Sequence, residues 1–236
     1  MDYLKSFSNR THLYLEAMDK YKNVLDEEMK TAIQMLHLQP NDVVFNAFSG
    51  GIPLDKYINK DLNVKYLEYD IHKDFTTNCY NLDKIPIESN SVNKIICLAT
   101  LHHLNINERE IIYKEFYRIL LPGGSLIIGD VINKSPQSKW LNIFVDKYNS
   151  NGHKGLFFSY NYSILMKKSG FKDIDISITI YNWNFKNDSD LLKFFKLLFG
   201  LNLCNDDEFL LDNIKYYLNY NNFKIPWKLI YFNCKK

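Results

Sequence analysis

The side chains in this sequence that could do chemistry together fall at one recurring kind of place. His102-His103 stand just after the apolar run Lys94-Ile95-Ile96-Cys97-Leu98-Ala99, Asp70 closes the run 64–69, and Asp130 closes Ser125-Leu126-Ile127-Ile128-Gly129. Histidine gains and loses a proton near neutral pH, which suits either ring to take a proton from a hydroxyl, a phenol or an acidic carbon. A fourth feature, Ala47-Phe48-Ser49-Gly50-Gly51, follows Val43-Val44-Phe45-Asn46. Such a turn of small residues lets backbone N–H groups approach a ligand, and an acid about 20 residues further on accepts hydrogen bonds from ribose hydroxyls. Together these residues describe a nucleoside pocket with histidines at its mouth.

The elements that must hold these residues can be read from periodicity. Residues 1–40 carry apolar side chains at helical spacing, among them Leu13, Met18, Tyr21, Leu25, Met29 and Ile33, until Pro40-Asn41-Asp42 breaks the pattern. Runs 43–46, 64–69, 94–99 and 125–130 read as buried strands. Pro53 suits the first turn of a helix after the small-residue turn, and Asn107 with Glu110 has capping-box spacing before another. Alternating strands and helices predict a parallel sheet covered on both faces. Beyond Asp130 the pattern predicts a helix around 140–148, a flexible polar stretch at 149–155, and a helix over 162–168 that stops at Gly170. An alternating strand over 174–185, helices over 190–199 and 208–218, and a closing strand over 227–233 follow. The 190–199 helix is apolar nearly all round, which favours core packing over a lid, an oligomer face or a membrane-surface element.

Composition removes several classes. The chain has 236 residues, 46% hydrophobic and 24% charged, so disordered and collagen-like classes are excluded. Lys+Arg 29 against Asp+Glu 27 leaves +2 with scattered basic residues, and no nucleic-acid footprint is visible. Cys79, Cys97, Cys204 and Cys234 lie far apart without a Cys-x-x-Cys pair, and read as reduced core thiols. With no run of roughly 18 apolar residues, no membrane insertion is expected and a cytoplasmic chain is the default. His12, His37 and His72 read as isolated; His153 alone among the remaining histidines lies in a segment able to fold over a substrate. No metal-ligand spacing is present, so a metal-independent reaction is expected.

With these residues in place, the chain resembles the class I S-adenosylmethionine-dependent methyltransferases, in particular the small-molecule branch that contains ubiquinone and menaquinone biosynthesis enzymes. The resemblance runs over roughly residues 25–185 and rests on three ordered matches. The strongest is Glu115-Phe116-Tyr117-Arg118-Ile119-Leu120-Leu121-Pro122-Gly123-Gly124 with its following strand to Asp130; the second is 85–97 followed by Leu101-His102-His103-Leu104; the third is 157–171, ending Lys168-Ser169-Gly170-Phe171. The resemblance implies an α/β, Rossmann-like fold with a mostly parallel seven-stranded sheet, its last strand antiparallel, and a helical cap built from 131–160 and 186–223. It implies S-adenosylmethionine as cofactor, with Asp70 on the ribose, Asn81 facing the adenine amino group, and Leu82, Leu98 and Ala99 as apolar walls. The cofactor loop would be Ala47, Phe48, Ser49 and Gly51, and the catalytic candidates His102 and His103, with Asp130 a weaker one.

That loop departs from the family pattern Asp-x-Gly-x-Gly-x-Gly. Aligned on Gly51, Phe45 takes the place of the acid and Ala47 and Ser49 those of two glycines. Phe45 cannot accept a hydrogen bond from the cofactor's ammonium group, a loss of roughly 1.5 to 3 kcal/mol if nothing replaces it. The expected activity is methyl transfer to oxygen, nitrogen or carbon of a small, apolar or aromatic molecule, with a homodimer as one assembly the apolar helix would allow. Three alternatives stand beside it: a binding or scaffold protein with a retired pocket, an enzyme that uses S-adenosylmethionine without transferring methyl, and a nicotinamide-dependent oxidoreductase.

Overall fold

The computed structural model describes residues 3–7, 9–52, 54–76 and 78–236. Helices α1 (Tyr3–Phe7), α2 (Thr11–Lys20) and α3 (Asp26–Met35) precede strand β1 (Val43–Ala47), and β2 (Lys65–Tyr69) and β3 (Val92–Leu98) follow. Helix α4 (Ile106–Ile119) leads directly into β4 (Leu120–Val131). The chain then continues through α5 (Pro136–Lys139), a wider π turn (Trp140–Val145), α6 (Asp146–Tyr148), α7 (Tyr162–Lys168) and β5 (Lys172–Asn184). Helices α8 (Asp188–Phe199) and α9 (Asp207–Leu218) come before the final strand, β6 (Lys224–Lys235).

The sheet order is β2-β1-β3-β4-β6-β5, with β2, β1, β3 and β4 parallel and β6 antiparallel to both its neighbours. The order reverses between β1 and β3, so a crevice opens at their carboxyl ends. Both faces of the central strands are covered, which is why they read as unbroken apolar runs. Val44, Ile96 and Ile127 enter the cluster that contains α8 and α9, while Phe45, Ile95, Leu126 and Ile128 enter the one under α4 and α7. Each such fully buried side chain contributes roughly 1.5 to 3 kcal/mol of transfer free energy.

Four expectations are corrected. The described residues form six strands, not seven: after Asp70 the chain makes one isolated parallel bridge to Cys79 where a further edge strand would lie. Residues 71–91, rich in Asn, Asp and Lys, supply no alternating run to extend it. In place of a helix after the small-residue turn there are only short 3-10 turns at Leu54–Tyr57 and Lys60–Leu62, and Pro53 itself lies outside the described residues. The capping box is made by Asn105 and Glu108, because the same Asn-x-x-Glu spacing occurs two residues before Asn107 and the helix starts at the first of the two. Cys79 is exposed, while Cys97, Cys204 and Cys234 are buried and all four are free.

The apolar 190–199 helix proves to be core. In α8, Leu191, Leu192, Phe194, Phe195, Leu198 and Phe199 are all buried, and Gly200 closes it in the left-handed conformation. No helix among the described residues is long and apolar enough to cross a membrane.

Candidate active site

The crevice at the switch point opens into a cavity with about 130 Å³ of free interior space. The loop after β1 gives it Phe48, Ser49 and Gly50, the end of β3 gives Leu98 and Ala99, and the turn that follows gives His102 and His103. Its far wall is aromatic and apolar: Phe199 from α8, Trp183 from β5, Trp227 from β6 and Leu141 from the π turn. Trp183 and Trp227 stack with ring centroids 4.0 Å apart.

Two of the chain's left-handed non-glycine residues fall in the loop and at the end of β3. Phe48 has φ 54° and Ala99 φ 49°, left-handed values that non-glycine residues pay roughly 1–3 kcal/mol to adopt. Gly50 shares that conformation at φ 58°, and a Cβ there would lie 3.3 Å from the Tyr14 hydroxyl. The loop's backbone is thereby turned toward the cavity with no side chain on Gly50 to block an approach.

At one end of the site Asp70 is completely buried. Its Oδ2 accepts from Gly50 N–H at 3.0 Å and from the Tyr3 hydroxyl at 3.3 Å, and Oδ1 accepts from His72 N–H at 2.9 Å. Burial raises the carboxyl above its ordinary pKa, and the Gly50 and His72 N–H groups oppose that rise. Tyr3 of α1 thus lies over the acid and edge-on to Phe48, while Phe7 packs edge-on to Phe75.

At the other end Asp130 holds His102. Asp130 Oδ1 lies 2.8 Å from His102 Nδ1 and Oδ2 accepts from His102 N–H at 3.0 Å. A carboxylate on Nδ1 fixes the tautomer with Nδ1 protonated, leaving Nε2 as the nitrogen with a free lone pair. His103 packs against His102 with centroids 4.2 Å apart, and its Nδ1 is 3.4 Å from Ser6 Oγ. The polar stretch 149–155 is docked, not loose: Asn149 Nδ2 donates to Phe199 O, and His153 is 5% exposed, with its ring 5.4 Å from His102 and 5.1 Å from His103. Burial, reinforced by charge repulsion, drives His103 and His153 well below the ordinary histidine pKa, so both rings are neutral.

Arg109 of α4 ties these pieces together. It is fully buried, donates to Leu101 O and Leu104 O at 2.9 and 3.1 Å and also to Leu156 O, and its guanidinium lies over the Phe158 and Tyr162 rings. It therefore joins the turn carrying His102-His103 to the segment carrying His153. Leu156 N–H adds a second link by donating to His102 O at 2.7 Å.

This geometry can be set beside known proteins. Residues 54–128 match the family model described as a methyltransferase domain. That stretch is similar to a methyltransferase domain, and solved structures resemble the fold of the chain as a whole. Its fold is similar to that of YcgJ from Bacillus subtilis, at 14% identity and TM-score 0.62 over 92% of this chain and 99% of that one. It is also similar to Haemonchus contortus phosphoethanolamine N-methyltransferase 2, at 13% identity and TM-score 0.64 over 100% of this chain and 60% of that one. The [4+2]-cyclase SpnF has the same fold at 11% identity and TM-score 0.55, over 89% of this chain and 81% of that one. No curated protein matches the chain.

The strongest sequence motif proves to be structural. Glu115 and Arg118 pair at 2.7 Å and together bind Ile85 N–H, Ile85 O and Ile87 O, fastening the loop before β3. Gly124 is needed because a Cβ there would lie 2.9 Å from Asn93 O and from Leu121 O. The loop register also changes. Phe45 is fully buried against Tyr69, Tyr80 and Phe116, away from the cavity, whereas Asn46 lines it. Side chains alternate along β1, so the position facing the ligand is one later than the Gly51 alignment places it. Shifted by one, Asn46 stands where the family has its acid and Gly50 where it has its second glycine.

Of the residues expected in the cofactor site, Phe48, Ser49, Leu98 and Ala99 line the cavity, while Ala47, Gly51, Asp70, Asn81 and Leu82 do not. Asp70 is separated from it by Tyr3, and Asn81 is exposed on the loop beyond. Sequence reasoning missed Asn46, Tyr3 and Arg109. Period-2 alternation along 43–47 was the available signal for Asn46.

Proposed function

We propose that this chain transfers a methyl group from S-adenosylmethionine to a small, largely apolar acceptor, with His102 as the acceptor-activating group. The observation that carries the reading is one cavity lined by both the β1 loop and His102, the ring that Asp130 holds from behind. The residues present fit the cofactor. Asn46, whose Nδ2 donates to the Tyr66 hydroxyl at 2.8 Å, keeps its carbonyl oxygen to accept from an ammonium group. Asp70 offers carboxylate oxygens to ribose hydroxyls when Tyr3 yields its bond, and Gly50 leaves the loop open to close approach.

Bound S-adenosylmethionine supplies an electrophilic methyl group on a sulfonium that is already a good leaving group. The chain's own task is then to position and deprotonate the acceptor. Trp183, Trp227, Phe199 and Leu141 exclude water around an apolar acceptor and hold it near the histidines, and such positioning supplies up to roughly 7 to 11 kcal/mol. His102 Nε2 takes the acceptor's proton, and Asp130 stabilises the resulting imidazolium through Nδ1–H. The test is transfer of labelled methyl to a panel of aromatic and aliphatic alcohols, phenols and amines. Turnover lost in His102→Ala with unchanged affinity for S-adenosylhomocysteine is expected; equal turnover in wild type and variant would defeat the role of His102.

A second reading has one observation in its favour. Tyr3 already satisfies the carboxylate that a ribose would need, as in a pocket kept for binding without turnover.

A further inference from the structure

We propose that His102, His103 and His153 form a binding site for one divalent transition-metal ion, Zn2+ being the reference, with a further coordination position open to the cavity. Each of the three offers one ligand atom, and these atoms lie within 4.8 Å of one another on buried residues. Ligands of a tetrahedral site with metal–nitrogen bonds near 2.0 to 2.1 Å are separated by roughly 3.3 Å, so the rings need to close by about 1.5 Å at most. Three imidazoles with a free fourth position are a known arrangement for a zinc ion that works on a bound oxygen.

Three further features separate this cluster from packed core histidines. His153 Nδ1 is buried and has no hydrogen-bond partner, a cost that a ligand supplying the bond would remove. His102 is held through Nδ1 by Asp130, the carboxylate–histidine arrangement that orients a metal-bound imidazole and raises its basicity. All three rings line the same cavity, so the site has an entry path and room for an exogenous ligand. Asp130 and Asp146 bring negative charge to the cluster and Arg10 and Lys154 positive charge, the Arg10 guanidinium being engaged with Ser6 O and Leu198 O.

The inference deepens the reading above, on which only its catalytic use rests. An acceptor hydroxyl bound at the open position would lose its proton to solvent as the oxygen–metal bond forms, and His102 Nε2 would then be a ligand instead of the base. Ion binding itself requires no cofactor.

The experiment uses the full chain, stripped with chelator, titrated with Zn2+ by calorimetry and with Co2+ by visible absorption. One equivalent with micromolar or tighter Kd and the d–d bands of a four-coordinate cobalt site are expected. His103→Ala and His153→Ala should each weaken binding by roughly 100-fold or more, and Asp130→Asn by about 10- to 100-fold. His153→Gln, checked for folding by circular dichroism, covers the case in which the alanine variant unfolds, and His12→Ala on the exposed face should change nothing. No cobalt bands, or one equivalent retained by folded His103→Ala and His153→Gln, would overturn the site. S-adenosylhomocysteine affinity measured on the same samples separates the two ideas. Cofactor binding without ion binding defeats the metal site alone, and ion binding without cofactor binding defeats the methyltransferase reading alone.

Discussion

Asp70 and Asp130 occupy equivalent places, each fully buried where a parallel strand meets the crevice, yet they are used differently. Asp70 spends its oxygens on the Gly50 and His72 backbone and on one phenol, so it shapes the β1 loop and waits under α1. Asp130 spends one oxygen on a titratable ring, so it orients a side chain able to move a proton. The same residue type at the same kind of strand end can serve ligand binding or proton transfer, and its partners decide which. Identical burial, by itself, tells nothing about role.

The contrast can be broken most forcefully at the Asp130 end. His102→Ala should lower turnover roughly 100- to 10,000-fold, the usual worth of a general base, while S-adenosylhomocysteine affinity stays within about twofold; steady-state kinetics with calorimetry checks both. Next is the brace that holds that end. Arg109→Met leaves Leu104 O and Leu156 O without their donor and Leu101 O with Leu104 N–H alone, and should cost about 3 kcal/mol or more in denaturant unfolding.

Glu28 sharpens the comparison from the cavity wall, because it is a buried carboxylate with no strand-end role. Burial pushes it up to about 7, and its Oε2 has no partner. The folded state therefore holds a proton that the unfolded chain releases near pH 4.5, and wild-type stability falls as pH rises from about 4.5 through 7. Glu28→Gln should be more stable than wild type by roughly 3 kcal/mol at pH 8, with the gap closing toward pH 4.5 in urea titrations at each pH. The smallest effect belongs to Tyr3. Tyr3→Phe removes the phenol from Asp70 and should tighten S-adenosylhomocysteine about 2- to 10-fold by calorimetry, whereas weaker binding would make Tyr3 part of the cofactor site.

Much of this was legible in the sequence. The buried strands announced themselves because the sheet is covered on both faces, and Asp70, His102 and Asp130 stood at their ends because those ends face the crevice. His153 was visible only as an outside candidate, since its polar neighbours suggested a loose loop; Asn149, bonded to Phe199 O, is what docks it. Other residues gave no signal. Arg109 sits in Asn-Glu-Arg-Glu, which looks like an ordinary solvated helix start, and its burial depends on carbonyls from the preceding turn and from distant Leu156. Tyr3 is one of 17 tyrosines, and nothing local marks it as the one above Asp70. The seventh strand failed because the resemblance supplied it and the residues did not.

The most direct test is calorimetric titration of the ligand-stripped protein with S-adenosylmethionine and S-adenosylhomocysteine, alongside Asp70→Ala and Asn46→Ala. Micromolar binding to the wild-type chain, weakened at least about tenfold by each substitution, is the expected result. Absence of binding at millimolar cofactor would contradict the central claim, leaving the fold of a methyltransferase around a pocket that serves another ligand.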